Sequence, residues 1–281
     1  MPSTPGQCAA CGSGQASELF RVNGFAILAC SGCGLARTEL PPDFDPASIY
    51  TASYFDGGQH DGYADYQGSE ATLRSEFART LDVLARHGLR GGNLLELGCA
   101  YGYFLEEARS RFTVSGVEVS EHAREACRAR GLRVERELSS ELLTERGPFD
   151  VAVLLDVIEH LADPAAVLGN VRGALRSGSK LLLTTGDFGA LPARLAGKRW
   201  RLMTPPQHLW FFSSSTIEQL LQRTGFRVVE LSHPWKLVPL SLIAFQGLRV
   251  AGLNAPDWVR QLPGSLPLNL FDAMRVVAEA V

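Results

Sequence analysis

The chain lacks a surplus of either charge: its 281 residues carry 27 Lys and Arg against 30 Asp and Glu, a formal net charge of −3. Such a balance leaves no electrostatic footprint for nucleic acid or an anionic membrane. Long apolar runs are missing too, since no uninterrupted apolar segment approaches the roughly eighteen residues of a membrane-spanning helix. The start, Met-Pro-Ser-Thr-Pro-Gly-Gln-Cys, has neither the basic stretch nor the apolar core of a secretory signal, so the expected compartment is the cytoplasm. What is present, 46% hydrophobic and 20% charged residues, suffices for one α/β core and a small appendage.

Cysteine is sparse at six residues, but four of them form the pairs Cys8-x-x-Cys11 and Cys30-x-x-Cys33, while Cys99 and Cys127 stand alone. The separation of the pairs falls inside the range for tetrathiolate zinc sites, and Gly12 and Gly34 follow the second cysteines, as a thiolate-presenting turn requires. Paired disulfides and an iron–sulfur site are the weaker alternatives. Four thiolates leave no open position, so the zinc is expected to be structural. Residues 1–45 set Arg21 and Arg37 against Glu18, Glu39, Asp43 and Asp45, with no lysine. This ribbon is a poor phosphate reader, and it is expected to pack on the main domain or organise a substrate or partner surface.

Leu94, Leu95 and Leu97 form a short apolar run that stops at Gly98, and Tyr101–Phe112 has the pattern of a helix. Gly98 and Gly102 in the intervening turn permit a sharp bend and a close ligand approach. A second strand over Thr113–Val117 ends at Glu118, at the spacing where a carboxylate accepts from two ribose hydroxyls. Dinucleotide sites space three glycines as G-x-G-x-x-G to admit a pyrophosphate. Here the run is Gly-Cys-Ala-Tyr-Gly, and Glu96 just before it would repel a pyrophosphate and suit an ammonium group. The alternative is an ordinary βαβ unit whose glycines only pack helix on strand.

The pattern from Glu96 to Gly102 resembles motif I of the class I S-adenosylmethionine-dependent methyltransferases, E/D-x-G-x-G-x-G, and Glu118 matches that family's ribose-binding acid. Ala100 departs from the commonest form of the motif. The resemblance covers about residues 45–281. It implies an α/β fold with a Rossmann-like seven-stranded sheet, mostly parallel with the last strand antiparallel. It further implies S-adenosylmethionine contacts at Glu96, Gly98, Cys99, Ala100, Tyr101, Gly102, Glu118, Val119, Leu138 and Asp156. Tyr63 and Tyr66 resemble the aromatic contacts of an N-terminal cap, with core packing an equal alternative.

The expected organisation is a ribbon over 1–45, an aromatic loop and helical cap over 46–90, and a methyltransferase domain over 91–281. Leu73, Phe77, Leu81 and Leu84 place one apolar face on a helix that ends near Gly88. Further helices are expected over 121–130, from Asp163-Pro164 to about Arg176, and from Ser213 or Ser215, where Ser215 and Glu218 stand at capping-box spacing. Strands are expected near Leu132–Glu135, Phe149–Leu155, Lys180–Thr185, Phe226–Leu231 and Phe271–Ala278. Residues 235–268 form an apolar, proline-broken insertion expected to serve as a lid, a homodimer contact or a weak membrane-surface element.

Two segments carry candidate chemistry. Asp156-Val-Ile-Glu159-His160-Leu-Ala-Asp163-Pro164 is similar to the corresponding string of the ubiquinone-biosynthesis O-methyltransferases, where such residues are associated with a magnesium-type ion. One helical turn would put Asp156, Glu159 and His160 on one face, able to position the cofactor, act as a base or hold a divalent ion. The second segment, Trp200 to Phe212, contains His208 between prolines and aromatics, a titratable group near neutral pH. Asp156, His160 and His208 are therefore the catalytic candidates. The Asn/Asp-Pro-Pro-Tyr string of exocyclic-amine methyltransferases is absent. The leading expectation is O- or C-methylation of a small-molecule acceptor in natural-product, sugar or quinone biosynthesis, with no nucleic-acid partner and no integral membrane association. An RNA base methyltransferase and a non-catalytic cofactor-binding scaffold are the alternatives.

Overall fold

The computed structural model describes residues 7–49, 70–250, 256, 258–259 and 262–281. Between the cysteine pairs, β1 (Ala16–Val22) and β2 (Phe25–Cys30) form an antiparallel hairpin. Its turn is Asn23-Gly24, both at positive φ, the pairing that matches strand twist in a two-residue connection. β3 (Ala36–Thr38) adds to β2. The helix expected around Leu81 is α1 (Glu70–Arg86), which buries Leu81, Val83 and Leu84. Tyr63 and Tyr66, with the aromatic loop around them, lie outside the described residues.

The main sheet then begins with β4 (Asn93–Leu97), α2 (Tyr103–Ala108), β5 (Thr113–Val117), α3 (Glu121–Ala129) and β6 (Val134–Glu135). The helix after the glycine turn is shorter than its sequence pattern suggests, because Ala100 and Gly102 adopt left-handed φ of 46° and 79° and hold Tyr101 outside it. Next come α4 (Ser140–Arg146), β7 (Phe149–Leu155), α5 (Pro164–Ala174), β8 (Leu175–Gly186), α6 (Leu191–Ala196) and β9 (Trp210–Phe211). Asp163 caps α5, its Oδ1 accepting from Ala166 N–H at 3.0 Å.

α7 (Ser214–Arg223) starts one residue before Ser215, so the capping box is not Ser215 with Glu218. It is Ser213 with Thr216: Ser213 N–H donates to Thr216 Oγ1 at 2.8 Å and Thr216 N–H to Ser213 Oγ at 3.3 Å. β10 (Phe226–Ser232) follows. The described part of the apolar insertion contains regular elements. β11 (Lys236–Pro239) pairs antiparallel with β12 (Ser265–Leu268), and α8 (Leu240–Val250) rises between them. β13 (Ala273–Ala280) ends the chain, starting two residues later than expected because Phe271 sits at a left-handed φ of 56°.

The seven-stranded sheet runs β10-β13-β8-β7-β4-β5-β6. β13 is antiparallel to both neighbours, and the pairings from β8 through β7, β4 and β5 to β6 are parallel. β7 buries Val151, Ala152, Val153 and Leu154 completely, as a parallel strand covered on both faces must. Strand order reverses between β4 and β7, which opens a crevice beyond their carboxyl ends.

The ribbon is fastened to this body rather than tethered beside it. β9 completes the small sheet β1-β2-β3-β9, with Ala36 opposite Phe211 and Arg37 opposite Trp210. Cys8, Ala9, Ala10 and Leu35 share one buried cluster with Phe212, Ile217 and Leu220. Arg223 Nη1 donates to the carbonyls of Cys8 and Ala9 at 3.0 and 3.2 Å.

Candidate functional site

The turn after β4 spends its own donors. Gly98 N–H bonds Val117 O at 2.7 Å, Ala100 N–H bonds Glu118 Oε2 at 2.9 Å, and Gly102 N–H bonds Cys99 O at 2.8 Å. No row of free amides remains at these positions for a pyrophosphate. A Cβ on Gly98 would lie 2.5 Å from Val157, and one on Gly102 would lie 2.5 Å from Leu132 and 2.9 Å from Cys127 Sγ. Both glycines are thus demanded by φ and by packing. Ala100 tolerates its left-handed φ because its N–H is held by Glu118 and its carbonyl accepts from Cys127 Sγ at 3.2 Å.

Glu118 is buried, and Ser120 N–H donates to its Oε1 at 2.9 Å as Ala100 N–H does to its Oε2. Each carboxylate oxygen keeps a further lone pair, room for two ribose hydroxyls. Burial pushes the Glu118 carboxyl up, against the pull of these two amides and of Arg124. Glu96, at the other end of the turn, is 3% exposed and its Oε2 has no hydrogen-bond partner among the described residues. Burial, and then Cys127 and Glu118, hold its carboxyl well above the ordinary carboxylate range. With the site empty that burial favours the neutral acid, and an ammonium group brought to Oε2 would favour the carboxylate and fill its lone pairs.

Two cavities meet over this turn. The larger, about 470 Å³, is lined by Gly98, Ala100, Glu118, Val119, Leu138, Asp156, Val157 and His160. The smaller, about 90 Å³, is lined by Phe77, Glu96, Thr184 and Arg275, and it shares Gly98, Leu155 and Asp156 with the first. An adenosine against Glu118 and Leu138 with an ammonium-bearing chain reaching Glu96 fits these residues, so the donor set suits S-adenosylmethionine. Cys99, Tyr101 and Gly102 line neither cavity; they shape the turn from behind, with Tyr101 fully buried beside Tyr103 and His122.

After β7, Asp156 takes a left-handed φ of 54° and its Oδ1 accepts from Thr184 Oγ1 at 2.9 Å. Residues Ile158–His160 then form a single 3-10 turn. Asp156 and His160 line one cavity, and the Asp156 charge is felt at both His160 and His208. The side chains brought together are Glu159, His160 and His208, whose ligand atoms lie within 4.8 Å of one another.

His160 Nδ1 bonds Gln207 O at 2.9 Å and His208 Nδ1 bonds Leu202 O at 2.7 Å. A carbonyl partner puts the proton on Nδ1 and leaves Nε2 as the acceptor in each ring. The rings meet edge to face, centroids 4.7 Å apart. Burial pulls His160 below the usual imidazole value; burial and then the neighbouring His160 pull His208 down to about 3. Both are neutral near pH 7. His160 lines the larger cavity, whereas His208 lines neither and touches the site through His160. Its loop is held from the ribbon, where Thr38 Oγ1 donates to His208 O at 2.7 Å.

In the ribbon, Cys8 and Cys33 Sγ are 3.5 Å apart, as are Cys11 and Cys30 Sγ, and all four lie within 4.8 Å of one another. Thiolates around a tetrahedral zinc are about 3.8 Å apart, so the cluster fits that ion. All four cysteines are free thiols, and both Gly12 and Gly34 adopt positive φ beneath them.

Thr184 and Arg275 were not singled out by sequence. The change from Leu181-Leu-Leu183 to Thr184-Thr-Gly186 marks a strand reaching the cavity edge, but Arg275 stands in a strand with no comparable signal.

The family described as a methyltransferase domain matches residues 69–231. The chain is 29% identical over 218 residues to a ubiquinone biosynthesis O-methyltransferase of Methylococcus capsulatus, covering 74% of this chain and 84% of that one. Among solved structures it resembles an S-adenosylmethionine-dependent methyltransferase of Archaeoglobus fulgidus, with TM-score 0.54 and 14% identity over 80% of this chain and 97% of the other. It also resembles the magnesium protoporphyrin IX methyltransferase of Synechocystis with bound S-adenosylmethionine, with TM-score 0.52 and 12% identity over 86% and 100% of the two chains. At such identities the structural likeness is one of fold.

Proposed function

The chain belongs to the methyltransferase-domain family and is a class I S-adenosylmethionine-dependent methyltransferase; from that premise we propose that it methylates a small-molecule acceptor at oxygen or carbon, with His160 taking the nucleophile's proton. The observation that carries this reading is the pair of buried carboxylates at the two ends of one turn, Glu118 ready for vicinal hydroxyls and Glu96 with an unpartnered oxygen. When bound, S-adenosylmethionine would supply a methyl group that the acceptor nucleophile attacks in line, the carbon–sulfur bond breaking so that the sulfonium leaves as the neutral thioether S-adenosylhomocysteine.

The protein's share is alignment and proton removal. Glu118 and Glu96 would hold the two ends of the donor, and Asp156, braced by Thr184, borders the junction of the cavities where the acceptor would arrive. His160 presents a neutral Nε2 on the cavity wall, its ring oriented by Gln207 O and backed by His208. The same geometry favours His160 over His208 as the base. Structural zinc at Cys8, Cys11, Cys30 and Cys33 would hold the ribbon strands whose last partner is β9. The test is transfer of labelled methyl from S-adenosylmethionine to a panel of phenols, sugars and activated carbon acids, beside structured RNA. Small-molecule labelling that falls at least about a hundredfold in His160→Ala supports the reading. Labelling confined to RNA overturns it.

A further inference from the structure

Beyond the smaller cavity lies an open groove of about 400 Å³ between α1 and the insertion, lined by Arg79, Asp82, Arg86, Trp235, Pro267 and Arg275 among others. Arg79, Pro234, Trp235 and Arg275 line both spaces, so the groove continues inward to Asp156 and Thr184. Among the described residues, the guanidinium groups of Arg79, Arg86 and Arg275 face the carboxylate of Asp82 in its walls, and the inner cavity adds Glu76, Glu96 and Asp156.

Arg275 is the centre of this arrangement. On β13 it stands directly opposite Thr184 of β8, and opposed residues of an antiparallel pair share a face, so it projects on the same side as the threonine that braces Asp156. Its side chain is 15% exposed, and its Nε is buried with no hydrogen-bond partner among the described residues. Its contacts are long: Ser232 Oγ at 3.4 Å and Glu230 Oε1 at 3.9 Å. Glu230 is itself bonded to His87 at 3.0 Å. A half-satisfied guanidinium fork at the inner end of a cavity is costly to keep, and a planar anion would satisfy it with two parallel bonds. The walls match a ring: Phe77 and Pro234 within, and Trp235 at the lip, 65% exposed as a residue.

We propose that this groove is the acceptor subsite and that the acceptor is a ring compound bearing an anionic group, held by Arg275 with Arg79, so that its nucleophilic atom meets the methyl donor beside Asp156. The proposal rests on the methyltransferase reading above and names the substrate class. Carboxylate and phosphate share the chemistry of the fork, and the groove accepts either.

The test titrates benzoate, phenyl phosphate and the neutral benzamide into the full chain, with and without S-adenosylhomocysteine, and into Arg275→Gln, Arg275→Lys and Arg79→Gln. The expected result is that at least one anion binds about tenfold or more tighter than benzamide. Arg275→Gln should abolish that preference, Arg275→Lys should keep part of it, and the exposed Arg79→Gln should weaken it, while S-adenosylhomocysteine affinity is unchanged in all three. The relative strength of benzoate and phenyl phosphate identifies the group. Equal binding of anions and benzamide, or no saturable anion binding, overturns the proposal. So does an Arg275→Gln variant that loses S-adenosylhomocysteine affinity and keeps anion preference, because the fork would then serve the donor's own carboxylate. Failure of the wild type to bind S-adenosylhomocysteine would instead strike the methyltransferase reading, and the anion titrations without it would still be read.

Discussion

Replacing Glu118 by alanine separates the task this carboxylate performs in the fold from the task proposed for it in donor binding. The first is internal: its oxygens accept from Ala100 and Ser120 N–H groups, both at 2.9 Å, and so tie the glycine turn to the end of β5. Leaving buried amides without an acceptor costs about 1–3 kcal/mol each, so the ligand-free variant should melt at a lower temperature. The second task is recognition. Two ribose hydroxyls bonded to a buried carboxylate contribute about 1.5–3 kcal/mol each, so their loss weakens binding by about 3–6 kcal/mol, or roughly two to four powers of ten. Calorimetry with S-adenosylhomocysteine reads the second effect and a melting curve of the ligand-free protein reads the first. Glu118→Gln, which keeps one acceptor oxygen, should fall between wild type and Glu118→Ala in both. A Glu118→Ala protein that melts early yet binds within about threefold of wild type would refute the reasoning, since the carboxylate would then serve only the turn.

Acidification should destabilise the protein through His208: its folded value of about 3 lies below the ordinary 6.5, so between these values the unfolded chain binds the extra proton. Stability therefore rises with pH through that window and is level above it, and His208→Asn should show a shallower loss in denaturant melts between pH 7 and about pH 5. With His160 as the proposed base, turnover should hold through neutrality and decline only below the ordinary imidazole value of 6.5, because burial pulls His160 down; an acid limb unchanged in a partly active His160→Gln would count against that role. Stripping metal with a chelator should lower turnover more than S-adenosylhomocysteine affinity, because β3 holds the His208 loop while Glu118 lies at the other end of the site; Thr38→Val, which removes the 2.7 Å bond to His208 O, should reproduce part of the loss. Gly102→Ala combines a left-handed φ with a 2.5 Å approach to Leu132 and should cost about 2–4 kcal/mol in equilibrium unfolding.

Much of the geometry of the candidate donor site was legible because its parts are consecutive in the chain. Leu94 to Glu118 contains a strand, its turn and the next strand's terminal acid, and each part carries a local signal. Glycine spacing also reported the left-handed φ values, though it could not separate ligand approach from packing, and Gly102 belongs to packing. The face expected at Asp156, Glu159 and His160 assumed helical geometry directly after β7. The backbone instead reverses at Asp156, and periodicity is silent about a single left-handed residue. The insertion looked broken because its prolines interrupt any helix, yet Pro239 and Pro267 sit in a two-stranded ribbon.

By itself the amino-acid order determined the alternating α/β layers, the thiol pairs that approach one another, and the carboxylates at either end of the first turn, because each depends on contacts between near neighbours in the chain. Only the tertiary structure decided that β9 joins the cysteine ribbon, that His208 backs His160, and that Arg275 stands beside Thr184 where the outer groove meets the smaller cavity. These pairs join positions 48 to 175 residues apart, from 160 and 208 to 36 and 211. A two-residue strand or an isolated arginine has no period to announce its partner, which is chosen only when the sheet closes and the surrounding core excludes other neighbours.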